Sequence, residues 1–286
     1  MLLPLVAAAT ITVAATTTDL RDLVAAVGGE RVRVESLTDP RQDPHAREIH
    51  PRQLALLGKS DVLVRVGLDH EPWLARAAKA VTPPAHDVDC SRAVTLLGTE
   101  TPRLRADRGA HVHAFGNPHY WLDPENAHGI TAAIADALGR VDPDDRALFD
   151  ENRRRFLARL DAGLARWRSR LAPYEGTRVV AVHDTWPYFA RRFGLVVAGT
   201  VEERPGVPPS PAYVGQLIER MRASGVRVVL AEPGAPGALV RRVADGAGAR
   251  VVTLAPSVGA DPQATDYLAL FETNVARLAD ALAGLR

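Results

Sequence analysis

The chain is poor in cysteine, lysine, methionine and aromatic side chains, and each shortage excludes something. Of 286 residues one is cysteine, so no internal disulfide forms and a small disulfide-stapled fold is ruled out. Ammonium groups are confined to Lys59 and Lys79, and the arginines that make up the rest of the basic residues are interspersed with Asp and Glu. Lys and Arg number 35 against 34 Asp and Glu, so no global field draws nucleic acid or acidic lipid. Long hydrophobic runs are missing as well. The apolar opening Met1–Ala9 falls far short of the ~20 residues that span a bilayer. No basic residue precedes it, which leaves two readings: the tail of an export signal, or the lead into a first strand. No other segment could cross a membrane, so a soluble mature protein is expected. With 47% hydrophobic and 24% charged residues, the composition is that of an ordinary globular protein, long enough for about two domains.

Short β-branched runs alternate with helical patterns. Strands are expected at residues 10–15, 32–37 and 61–66, with helices at 20–27 and from Pro51 to Leu57. The stretch 82–116 is richer in Pro, Gly and His and is expected to hold loops and one short strand. Between Asp142 and Ala172, Phe149, Phe156, Leu160, Leu164, Trp167 and Leu171 recur at helical spacing and predict one helix of roughly 30 residues, about 45 Å long. The alternation then resumes, with strands at 178–182, 195–197, 226–231 and 250–254, and helices at 186–193, 211–224 and from Asp266. The fold class expected is α/β: two parallel-sheet lobes bridged by one long rigid helix. The boundaries expected are 1–9 for the remnant of an export signal, 10–141 for the first lobe, 142–173 for the linking helix and 174–286 for the second lobe. No internal repeat is visible.

Three of the nine histidines have informative settings. His45 follows Asp43-Pro44 after a strand, His119 follows Asn117-Pro118, and His183 directly follows the strand at 178–182. Ligand groups in parallel α/β sheets collect at the carboxyl ends of strands, and three imidazoles make a normal zinc site. Surface or helix-capping roles for each histidine remain the alternative at this point.

Four ordered motifs sharpen the choice. Gln42-Asp43-Pro44-His45 with Gly67-Leu68 and Glu71-Pro72-Trp73, the run Asn117 to Ala127, Val182-His183-Asp184 with Tyr188-Phe189, and Pro208-Pro209-Ser210-Pro211 together resemble the solute-binding proteins of zinc and manganese ABC transporters. The resemblance covers residues 10–286. It implies two α/β lobes joined by a rigid helix, with His45, His119 and His183 as metal ligands. It also implies an extracytoplasmic or periplasmic protein that captures Zn²⁺ between the lobes and delivers it to an ABC permease, and not an enzyme. The family usually supplies a fourth ligand as an aspartate in Leu-x-Asp-Ser-x-Gly. Here the segment is Leu254-Ala255-Pro256-Ser257-Val258-Gly259, with proline at the carboxylate position. Glu232, at the end of the strand beside 250–254, is the candidate replacement, with water as the alternative. No lipid-attachment cysteine stands near the start.

The remaining residues are read more plainly. His111 and His113 are either a metal-recruiting loop or incidental, and His50, His70, His86 and His128 are read as surface or interlobe residues. Cys90 is read as a small buried hydrophobe and Glu202-Glu203-Arg204 as a solvated turn. Glu48 is a candidate partner for His45. The four tryptophans are read as packing residues, with Trp121 and Trp186 as candidate floors of the site. Neutral imidazoles favour Zn²⁺ over Mn²⁺, which prefers carboxylate and water oxygen. A tri-histidine zinc hydrolase is the alternative from another class, although no second His/Asp cluster or nucleophile elbow accompanies it. The partners expected are a metal ion and a permease, with no nucleic acid and no transmembrane segment, and the protein is expected to be a monomer.

Overall fold

The computed structural model describes residues 10–40, 50–98, 116–202 and 207–285. The chain divides into two compact units, one made of the segments up to Val94 and Ala127–Arg159, the other of Thr95–Asn126 and everything from Leu160 onward. The division falls inside the long helix, and it assigns 95–126 to the unit that holds the C-terminal sheet.

In the first unit, β1 (Ile11–Ala15), β2 (Val32–Ser36), β3 (Val62–Arg65) and β4 (His86–Asp89) form a parallel sheet in the order β2-β1-β3-β4. The connecting helices are α1 (Thr18–Gly28), α2 (Pro51–Leu57) and α3 (Leu74–Ala80), followed by α4 (Ala127–Val141) and the first half of α5 (Arg146–Leu171). Thr17 caps α1 by accepting from Leu20 N at 3.3 Å, and Gly29 ends the helix at φ +56°, a conformation glycine adopts without strain. Leu20, Leu23, Val24 and Val27 form the buried stripe of α1, each such side chain contributing about 1.5–3 kcal/mol.

The helix expected over 142–172 is 26 residues long, from Arg146 to Leu171. It starts after a turn at 143–145, where the carboxylates of Asp142 and Asp145 pair with the guanidinium of Arg31. Its end is set by Pro173, which has no N–H to continue the ladder, so a 3-10 turn follows at Ala172–Tyr174. Phe149, Phe156, Leu160, Leu164, Trp167 and Leu171 are all buried, as their spacing requires.

The second unit holds β5 (Arg178–Ala181), α6 (Pro187–Arg192), β6 (Val196–Thr200), α7 (Pro211–Ala223), β7 (Val228–Ala231), α8 (Gly237–Ala247), β8 (Arg250–Thr253) and α9 (Tyr267–Ala283). The sheet is again parallel, ordered β6-β5-β7-β8. Val180, Val182, Leu217, Met221, Val229 and Val243 pack its core. The Ser210-Pro211 pair starts α7, with Ser210 Oγ accepting from Tyr213 N at 3.2 Å and proline in the first turn. Both sheets share one strand order, a repeat of topology with no counterpart in the sequence.

Candidate metal centre

In a sheet ordered this way, the strand after the first crosses to one side and the next to the other. The crevice at the carboxyl ends of the two central strands is where ligands bind. In the second unit the central strands are β5 and β7, and the residues just past their ends include His183 and Glu232. Neither position is accidental, because both backbones exit the sheet at that rim.

His119 reaches the same unit from the turn at Tyr120–Leu122. That turn is anchored by Asp123, whose carboxylate accepts Arg192 Nε–H at 2.6 Å and Arg192 Nη2–H at 2.9 Å. Such a buried, bidentate pair holds its geometry well, and losing one partner strands the other charge. Tyr188 on α6 adds a hydroxyl that donates to Asn117 O at 2.9 Å and accepts Leu97 N–H at 2.8 Å.

Asn117 then sets the ring of His119. Its Nδ2 donates to Asp184 O at 2.8 Å and faces Asp184 Oδ2 at 3.2 Å, both acceptors, so its Oδ1 is the end turned to His119. Oδ1 accepts the His119 backbone N–H at 2.9 Å and lies 3.0 Å from Nδ1. The proton therefore sits on Nδ1, and Nε2 carries the lone pair that a metal requires. Asn117 thus ties the segment of one histidine to the residue after the other.

The rings of His119 and His183 are 5.8 Å apart between centroids and nearly perpendicular, at 83°. Two imidazoles on one zinc at about 2.0–2.1 Å place their centroids roughly 5–6 Å apart. The indole of Trp121 lies 5.3 Å from the His119 ring. His183 Nδ1 is 3.1 Å from Glu202 Oε2. Burial lowers the His183 pKa, but the Glu202 hydrogen bond and the negative charges of Glu232, Glu202 and Asp184 outweigh it, so the ring titrates above the usual imidazole value. Burial raises the Asp184 carboxyl, against the Asn117 hydrogen bond and the charge of His183.

Glu232 accepts Trp186 Nε1–H at 2.8 Å and is also hydrogen-bonded by the Thr185 side chain. Burial raises its pKa, partly offset by the charge of His183 and these bonds. Pro256 offers its carbonyl to Trp121 Nε1–H at 2.9 Å, so the segment at the family's aspartate position contributes packing and no carboxylate. Among the described residues no group of three or more His, Cys, Asp and Glu is arranged to hold a metal ion. The third expected imidazole, His45, lies outside the described residues, as do Glu48, His111 and His113.

Several readings of the sequence need correction. Glu202 does not lie in a solvated turn, since its carboxylate is on His183 and its side chain is 20% exposed. His70 is fully buried, and a surface role does not describe it. Asn117 and Thr185 carry roles that no local pattern shows, one on the His119 ring and one on Glu232. No local signal points to Glu202: it follows β6, and only the pairing of β6 with β5 makes the residues leaving those two strands emerge side by side.

Two imidazoles brought together beside the switch point of a parallel α/β unit give it the nitrogen donors of a metal-binding protein. The family model for the periplasmic component A of zinc-uptake complexes, ZnuA, matches residues 13–281, and the chain is a member of that family. Its members are solute-binding proteins and not enzymes. A high-affinity zinc uptake system protein ZnuA from Brucella abortus is 33% identical over 138 residues, covering 48% of this chain and 41% of that protein. This chain therefore matches under half the length of that relative. ZnuA of Paracoccus denitrificans is 28% identical over 287 residues, covering 91% of this chain and 88% of that one. A crystal structure of ZnuA superposes with a TM-score of 0.81 at 26% identity, covering 95% of this chain and 99% of that one. FpvC of Pseudomonas aeruginosa in complex with Ni²⁺ gives a TM-score of 0.82 at 25% identity, covering 97% and 98%. No helix among the described residues is long and apolar enough to cross a membrane.

Proposed function

We propose that this chain captures Zn²⁺ outside the cytoplasm, as a periplasmic or extracytoplasmic monomer, and delivers it to an ABC permease. The observation that carries the reading is the His119–His183 pair, 5.8 Å apart and each with Nδ1 against an oxygen acceptor. Neutral imidazole is a donor suited to Zn²⁺, and the zinc-uptake names of the relatives support the same cargo. In this reading His45, His119 and His183 are the nitrogen donors. Glu232 is the candidate fourth donor, because its charge already bears on His183 and Trp186 and Thr185 would orient it as they do now. Mn²⁺ is the second reading, favoured by the FpvC complexes with Ni²⁺ and Mn²⁺.

Metal analysis of protein purified without added metal, followed by competition titration, tests the reading. About one zinc per chain is expected, with Mn²⁺ bound far more weakly. Stoichiometric manganese with negligible zinc would overturn the choice of metal. Failure to bind either ion would overturn the function.

A further inference from the structure

We infer that Glu202 is a positioning residue for His183, holding the imidazole in the tautomer that presents Nε2 to a divalent cation. The inference rests on the metal-binding reading above. Glu202 arrives at the ring through a backbone seam. Val201 N donates to Ala181 O at 2.8 Å, and Glu202 N donates to Val182 O at 3.0 Å, so the exit of β6 is bonded to β5 up to the residue before His183. The seam is fastened from the other side: Thr200 Oγ1 donates to Glu202 O at 2.7 Å, and Tyr213 on α7 donates its hydroxyl to Thr200 O at 2.8 Å. These bonds hold the Glu202 backbone beside the end of β5, and from there its Oε2 lies 3.1 Å from His183 Nδ1.

An ionised carboxylate only accepts, so this contact requires the proton on Nδ1 and leaves the Nε2 lone pair for a metal. The carboxylate also strengthens the ring as a donor and compensates part of the charge of an arriving cation. His119 has the same arrangement with a neutral acceptor, Asn117 Oδ1. The His119 and His183 imidazoles are thus both set in the same tautomer by hydrogen bonds to neighbouring side chains. A purely structural tie between strand ends would instead cost stability when broken and leave ring tautomer and metal affinity alone.

The test uses the whole 286-residue chain. In metal-free protein, nitrogen-15 spectra of labelled histidine should report the Nδ1–H tautomer of His183 in the wild type and lose it in Glu202→Ala. Zn²⁺ titrated against a competing chelator should bind Glu202→Ala about ten- to a hundred-fold more weakly, the scale of losing an orienting partner. In a His183→Ala background the same change should cost nothing further, because Glu202 then has no ring to position. An unchanged tautomer, an affinity within about two-fold of wild type, or an equal further loss without His183 would each overturn the inference. Should Glu202→Ala not fold, Glu202→Met, which keeps the chain length and removes the oxygens, decides by the same readouts. A wild type that binds no Zn²⁺ sinks the metal reading, and the tautomer comparison still decides the role of Glu202.

Discussion

Glu71 stands at the switch point of the first sheet, where its carboxylate joins the ends of β1 and β3. Its Oε1 accepts Thr16 Oγ1–H at 2.5 Å and Val66 N–H at 2.7 Å, and Oε2 accepts Gly67 N–H at 3.1 Å. The residue is only 7% exposed. Burial pushes its pKa from 4.5 up to about 7, against the pull of those hydrogen bonds and of the Arg65 charge. A carboxyl that holds its proton more tightly folded than unfolded stabilises the fold fully below the unfolded value. That contribution disappears as pH rises through the folded value. The interval from 4.5 to about 7 corresponds to about 3 kcal/mol. Glu71→Gln removes the titration, and an amide facing Gly67 N–H would add a pH-independent cost of about 1–3 kcal/mol. Hydrogen exchange of β1 and β3 amides, read from pH 5 to 8 in both proteins, isolates the group. The stability of wild type relative to the glutamine variant should fall by about 2–3 kcal/mol over that range, which begins just above the unfolded value. Parallel profiles would refute the argument that burial dominates at this carboxyl.

Removing an imidazole, by His119→Ala or His183→Ala, should weaken Zn²⁺ binding by orders of magnitude while circular dichroism shows an intact fold; unfolded variants would mean that the site is structural. Because His183 titrates above the ordinary 6.5 and must be neutral to bind, Zn²⁺ affinity should hold at high pH and begin to fall before pH reaches 6.5; equal affinity at pH 7.5 and 5.5 would contradict a histidine shell. Glu232→Gln should weaken zinc by about ten-fold or more if the carboxylate is a donor, whereas unchanged titration curves would leave three histidines and water. Arg192→Ala leaves the buried Asp123 carboxylate without its bidentate partner, so denaturant unfolding of the second unit should show a loss of about 3–5 kcal/mol. A loss below about 1 kcal/mol would show that Asp123 is relieved by water or by another group.

Much of this protein was readable in local pattern. The β-branched runs became strands, the Phe149-to-Leu171 spacing became a buried helical stripe, and Ser210-Pro211 became a helix start, because each depends on a few neighbouring residues. Ile130, Ile134 and Leu138 recur every four residues and form the buried stripe of α4, a local pattern of the same kind. The site was legible in part. Histidine after a strand end is a local statement, and so is the motif from Asn117 to Ala127.

What the sequence by itself determined is therefore most of the elements and their parallel class, and it singled out His119 and His183, whose rings the structure brings together. Tertiary structure decided who meets whom. Strand neighbours in a parallel sheet are chosen by long crossovers, so nothing local says that β5 pairs with both β6 and β7. That order alone brings Glu202 to His183 across 19 residues, and Trp186 to Glu232 across 46. The same order in the first sheet, where β1 pairs with β3, buries Glu71 between the ends of those two strands. A carboxylate in a polar run reads as solvated until a neighbouring strand end closes over it, and only then does its charge act on a ring.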